Sequence, residues 1–151
     1  MKWAVCALLA VVMLAMVGGT SAWGQTIQFL GGPGVMSDVE GISAIVDWRL
    51  AGEVRFLSAL GARGWLMFGE GLDGIGWGVA LLWHLGQLSF GLGFESALEV
   101  PFLTMGAEID FEVTRAGLLR VHFFNDFQFA LALTEDVPSF VQYHVGLALG
   151  F

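Results

Sequence analysis

The stretch "LTMGAEIDFEVT" (103–114) alternates residue by residue. Leu103, Met105, Ala107, Ile109, Phe111 and Val113 are apolar. Thr104, Gly106, Glu108, Asp110, Glu112 and Thr114 between them are polar or glycine. A helix would scatter both sets around its axis, whereas a strand puts them on opposite faces. Read as inserted helices, other apolar stretches would carry Asp47, Arg49, Glu53 and Arg55, or Arg120, His122 and Asp126, and charges at a helix centre cost about 2.5–3.5 kcal/mol each. Period two is therefore the reading to test along the whole chain.

It recurs. Ile42, Ala44, Val46, Trp48 and Leu50 alternate with Ser43, Asp47 and Arg49, and Leu88, Phe90, Leu92 and Phe94 alternate with Ser89, Gly91, Gly93 and Glu95. "YHVGLALGF" (143–151) alternates Tyr143, Val145, Leu147, Leu149 and Phe151 with His144, Gly146, Ala148 and Gly150. Segments 53–68, 75–85 and 118–133 alternate less cleanly. With a short first strand near 25–30, eight strands are expected. Composition points the same way. The 151 residues are 56% hydrophobic and 13% charged, with 22 Gly, against about 25% charged residues in ordinary soluble domains. Abundant Gly disfavours helices, so membrane strands are favoured over membrane helices. One apolar and one polar face per strand is the pattern of a transmembrane barrel, which must close because an open edge in lipid leaves backbone groups unpaired.

Residues 1–24 stand apart. Lys2 precedes the apolar "WAVCALLAVVMLAMV" (3–17), and small residues follow. This predicts a cleaved secretory signal peptide, ending after Gly24 or after Ala22, with residues 25–151 as the barrel domain. The rival is a retained anchor. The single Cys lies in this segment, so residues 25–151 lack thiol chemistry and carry five Arg against all fourteen acids. That balance excludes a nucleic-acid partner.

Turns are expected at "LAG" (50–52), "GQ" (86–87) and "RAG" (115–117), all at one end, with longer connections at 31–40, 69–74, 100–103 and 134–138 at the other. These registers pair Arg49 with Glu53, Asp47 with Arg55, Glu112 with Arg120, Asp110 with His122 and His84 with Ser89. They also set Trp65 over Gly78 and Met67 over Gly76.

On these features the chain resembles the small eight-stranded outer-membrane β-barrel proteins of Gram-negative bacteria. The resemblance covers nearly all of residues 25–151 and picks out no subfamily. It implies an outer-membrane location, contact with membrane lipids including lipopolysaccharide, and assembly by the barrel-assembly machinery. In that family the machinery reads a last strand such as Tyr143, Val145, Leu147, Leu149 and Phe151.

Eight strands leave an interior just filled by side chains. The expected lumen network is Asp47, Arg49, Arg55, Arg63, Glu95, Glu99, Glu108, Asp110, Glu112, Arg120, His122, Asp126 and His144. It is read as an ion-pair plug, with a narrow proton or ion path as the rival. Some relatives modify lipid A or phospholipids, using His with Ser and a third group. Here that would need His84 with Ser89, or His122 with Asp110, and neither offers a clear third member. No catalysis, cofactor or metal is expected, since no two His have ligand spacing. Outward Trp48, Phe56, Trp83, Phe90, Phe111 and Phe151 form an expected aromatic girdle near the short-turn end. Ser96, Ala107 and Asn125 are expected to lie together as a weakly polar outer-wall contact for a subunit or lipid headgroup. The contrasting architecture is a soluble, lipocalin-like barrel with its apolar face inward.

Overall fold

The computed structural model describes residues 26–39, 44–69, 74–97 and 99–151. The leader expected at 1–24, and Ile42 and Ser43 of the second alternating run, lie outside the described residues. Eight strands follow one another: β1 (Thr26–Asp38), β2 (Ala44–Leu57), β3 (Leu60–Gly69), β4 (Gly76–Leu85), β5 (Leu88–Ala97), β6 (Val100–Ala116), β7 (Leu119–Ala132) and β8 (Phe140–Gly150). Each pairs antiparallel with its chain neighbour, and β8 pairs with β1 to close the barrel. All eight exceed the ~9–11 residues that cross a bilayer or come within that range.

Alternation decides which face is buried. Inward positions include Asp47, Arg49, Glu53, Arg63, Glu95, Glu108 and Gln142, all buried. Outward positions include Val46, Leu81, Leu92, Met105, Ile109 and Leu147, exposed by between 43% (Ile109) and 59% (Val46). The apolar face points out, the reverse of a barrel built around an apolar ligand.

The interior is layered along its axis. Met36, Met67, Ala97, Phe102, Ala130 and Phe140 form an apolar layer near the end that carries the longer connections. There Phe102 meets Phe140 edge-on, with centroids 5.7 Å apart. The charged groups occupy the middle, and Arg55 and His122 lie nearer the opposite end, partly exposed. Large inward side chains lie over glycines of the next strand. Trp65 is in register with Gly78, Met67 with Gly76 and His144 with Gly34. A Cβ at Gly78 or Gly34 would collide with the Trp65 or His144 ring.

Several expected boundaries move. β1 is not a short strand ending at 30: it runs through "GGPG" (31–34) to Asp38. Glycine makes this possible, since a Cβ at Gly32 would strike the Val145 carbonyl and one at Gly146 the Gly31 carbonyl. "LAG" is no turn. Gly52 sits mid-strand opposite Gly64, and β2 continues to a turn at Ser58–Ala59. Arg49 therefore faces Met67, and Glu53 faces Arg63. "GQ" is a turn as expected, with Gly86 at φ +71° and His84 opposite Ser89. The β5–β6 connection is residues 98–99 rather than 100–103, with Glu99 at φ 63°. The "RAG" turn shifts to Gly117–Leu118, with Gly117 at φ +62° and an irregularity between Glu112 and Thr114, so Glu112 pairs with His122. The connections 39–43, 70–75 and 133–139 remain longer than the turns at the other end.

Candidate functional site

The inward face converges on three arginines. Arg49 reaches across the lumen, with Nη1 2.5 Å from Asp126 Oδ2 and Nη2 donating to Gln142 Oε1 at 2.7 Å and Gln128 Oε1 at 3.2 Å. Its guanidinium lies 5.2 Å from the Trp65 ring centroid. Arg63 bridges two carboxylates, with Nη2 2.6 Å from Glu53 Oε2 and Nη1 2.6 Å from Glu108 Oε2. Arg55 Nε binds Glu53 Oε1 at 2.9 Å and its Nη2 lies 3.8 Å from Asp110 Oδ2. Glu95 accepts from Gln142 Nε2 at 2.6 Å and from Trp65 Nε1 at 3.1 Å. His144 Nε2 stands 2.9 Å from Asp47 Oδ2, and His122 Nδ1 2.7 Å from Asp110 Oδ1. Buried charge demands such pairing, because an uncompensated ion in this setting is strongly destabilising.

The structure thus brings together Asp47, Arg49, Arg55, Arg63, Glu95, Glu108, Asp110, His122, Asp126 and His144. Three expected members stand apart. Glu99 is exposed in its two-residue turn. Arg120 is half-buried at the start of β7, outside these contacts. Glu112 is exposed on a hairpin that outruns the wall: β5–β6 pairing ends at Ile109, followed by Asp110 N–H donating to Gln87 O at 2.8 Å. Out there Arg115 binds Glu112 at 2.8 and 2.9 Å, and these hydrogen bonds hold the Glu112 carboxyl below its ordinary range. Glu53, expected opposite Arg49, is buried and bonded to Arg63 instead, and sequence reasoning left out Gln28, Gln128 and Gln142, each buried and bonded within the network. Period two places all four inward and was the signal available.

The pair His84 and Ser89 acquires a third neighbour. Ser89 Oγ is 2.8 Å from His84 Nδ1, and Glu53 Oε1 is 3.2 Å from His84 Nε2. Members of a nucleophile relay are present, yet Glu53 is already held by two arginines and Ser89 is buried. The cavity beside Ser89, between Arg63, Thr104, Glu108 and Asp126, measures about 10 Å³, room for roughly one water. Among the described residues no cluster of three or more His, Cys, Asp or Glu is arranged to hold a metal ion.

On the outer wall, Trp83, Phe90, Phe111 and Phe151 lie toward the short-turn end, as does Phe56. Trp48 departs from this set. With no turn at 50–52 it stands toward the other end, opposite Phe68. The expected Ser96–Ala107–Asn125 cluster is not assembled. Ser96 is in register with Pro101, Ala107 with Phe90 and Phe127, and Asn125 with Ile109 and Val145. The short 98–99 turn and the shifted Gly117–Leu118 turn account for both displacements. Tyr143, Val145, Leu147 and Leu149 face outward along β8, and Phe151 N–H donates to Ile27 O at 2.9 Å.

No protein-family model and no curated protein matches the chain. Its fold is similar to that in the crystal structure of Neisserial surface protein A (NspA), with a TM-score of 0.56, covering 84% of this chain and 96% of that one at 8% sequence identity. At that identity the likeness is one of fold.

Proposed function

We propose that this chain is an integral outer-membrane barrel whose lumen is closed by a packed charge network, and that it serves as a structural or interaction protein rather than a catalyst. One observation carries the reading: the wall is inside out relative to a soluble protein. Through the strand bodies the outward positions hold no Asp, Glu, Lys or Arg, while the inward ones hold the buried ion pairs. A surface of that kind is stable against hydrocarbon and aggregates in water. The fold shared with Neisserial surface protein A supports a location at the cell surface, and the near absence of free space beside Ser89 supports a closed lumen. The aromatics near the short-turn end would lie at one interface, with lipid and lipopolysaccharide as the surrounding partners. The outward row Tyr143, Val145, Leu147, Leu149 and Phe151 would be what the assembly machinery reads.

The test is electrophoretic mobility of the detergent-folded chain with and without boiling. A closed membrane barrel resists the detergent and migrates as a compact species until boiled. Identical mobility in both lanes would overturn the reading.

A further inference from the structure

The uncharged outer wall holds one polar pair. Tyr143 Oη donates to Asn125 Oδ1 at 2.8 Å. Tyr143 is 45% exposed, and Asn125 is half-buried at mid-length of β7. Phe123 and Phe127 flank Asn125 along its own strand, with Ile109 beside it on β6 and Val145 on β8. Apolar side chains therefore lie above, below and to either side of the pair. Tyr143 engages the carboxamide oxygen, and the two N–H donors of the amide have no partner among the described residues.

We propose that Asn125 and Tyr143 mark the contact between two copies of this chain lying side by side in the membrane, their Asn125 carboxamides paired across a twofold axis. The inference rests on the membrane reading above, since only in hydrocarbon is a free amide left without a partner. Unsatisfied polar groups there are costly, and side-chain amides are used as contacts between membrane segments for that reason. The chemistry selects a second copy over a lipid. Acyl tails offer no acceptor, and lipid ester and headgroup oxygens lie at the interfaces rather than at mid-wall. A carboxamide is self-complementary, carrying donors and an acceptor with a spare lone pair, so a twofold axis beside it lets each copy satisfy the other. Tyr143 acts as a positioning residue that holds the amide with its N–H groups turned outward.

Residues 25–151 contain no Cys, so a single introduced thiol reports the contact. Ile109→Cys stands next to Asn125 and Leu81→Cys lies on β4 across the barrel. With a short thiol cross-linker applied to membranes, Ile109→Cys is expected to give a dimer and Leu81→Cys none. Adding Asn125→Leu should lower the dimer yield about five- to tenfold, the effect of two membrane hydrogen bonds, and Tyr143→Phe should lower it less. A heat-shifted chain with no Ile109→Cys dimer, or with a dimer indifferent to both substitutions, overturns this inference alone. Loss of the heat shift in the unsubstituted chain would instead overturn the membrane reading.

Discussion

Arg63 sits between Glu53 and Glu108 with contacts of 2.6 Å to each, and its guanidinium is the one cation among the described residues that bridges these two buried carboxyl groups. Removing the cation alone takes away the Glu108 ion-pair partner and leaves Glu53 with Arg55. Arg63→Met should therefore destabilise the barrel by about 3–5 kcal/mol, the usual cost of breaking a buried ion pair. Replacing all three, as Arg63→Met with Glu53→Gln and Glu108→Gln, should recover most of that loss, because neutral groups of similar shape need no counter-charge. Urea unfolding of vesicle-inserted protein measures both. Equal stability of the single variant and the parent would show that the bridge is not holding the lumen together. Which residues face inward was legible from period two alone. Which of them meet was legible only locally: His84 with Ser89 on neighbouring strands, and His122 with Asp110 despite a shifted register. The long-range partners were not, because Arg49 reaches Asp126 on β7 and Gln142 on β8 across the lumen. Closure makes those contacts, and no pairing rule between adjacent strands can foresee them.

At the scale of elements, the closing seam between β1 and β8 is the tightest point. Pairing runs from Gln28–Gly150 to Gly31–Leu147 and resumes at Gly34–His144, skipping Gly32 and Pro33. Pro33 has no N–H to offer the ladder, and Gly32 and Gly146 approach so closely that a side chain on either would strike backbone. Gly146→Val should then open the seam, giving chain that is translated normally yet fails to reach the heat-resistant form. The equally inward-facing Gly150→Val should be tolerated, since the nearest atom to a Cβ there is 3.8 Å away. Equal folding of the two variants would contradict this account of the seam. The same glycines explain where the sequence misled. "GGPG" and "LAG" carry turn composition, but in a barrel Gly also serves where strands cross closely or a neighbour's ring needs room. The β2–β3 reversal falls instead on Ser58–Ala59, which bear no strong turn signal. The "GQ" turn was legible because its Gly occupies the left-handed position a two-residue hairpin needs.

For the whole molecule, the defining property is the inversion of polarity: an uncharged wall outside, a charged interior, and an apolar layer of Met36, Phe102 and Phe140 across one end of the lumen. Closure was legible from the eight alternating segments, because an uncharged outer face forces every strand edge to be paired. The layering was not, since it depends on the axial stagger of all eight strands at once. The inversion can be measured directly with single spin labels at outward Val79, Leu81, Met105 and Leu147 and at inward Ala80 and Thr104, in vesicle-inserted protein. Collision with lipid-soluble oxygen should be high at the four outward sites and low at both inward ones, while a water-soluble nickel complex should reach none of the six. Nickel accessibility at Val79, Leu81, Met105 and Leu147 would place that face in water and contradict the account.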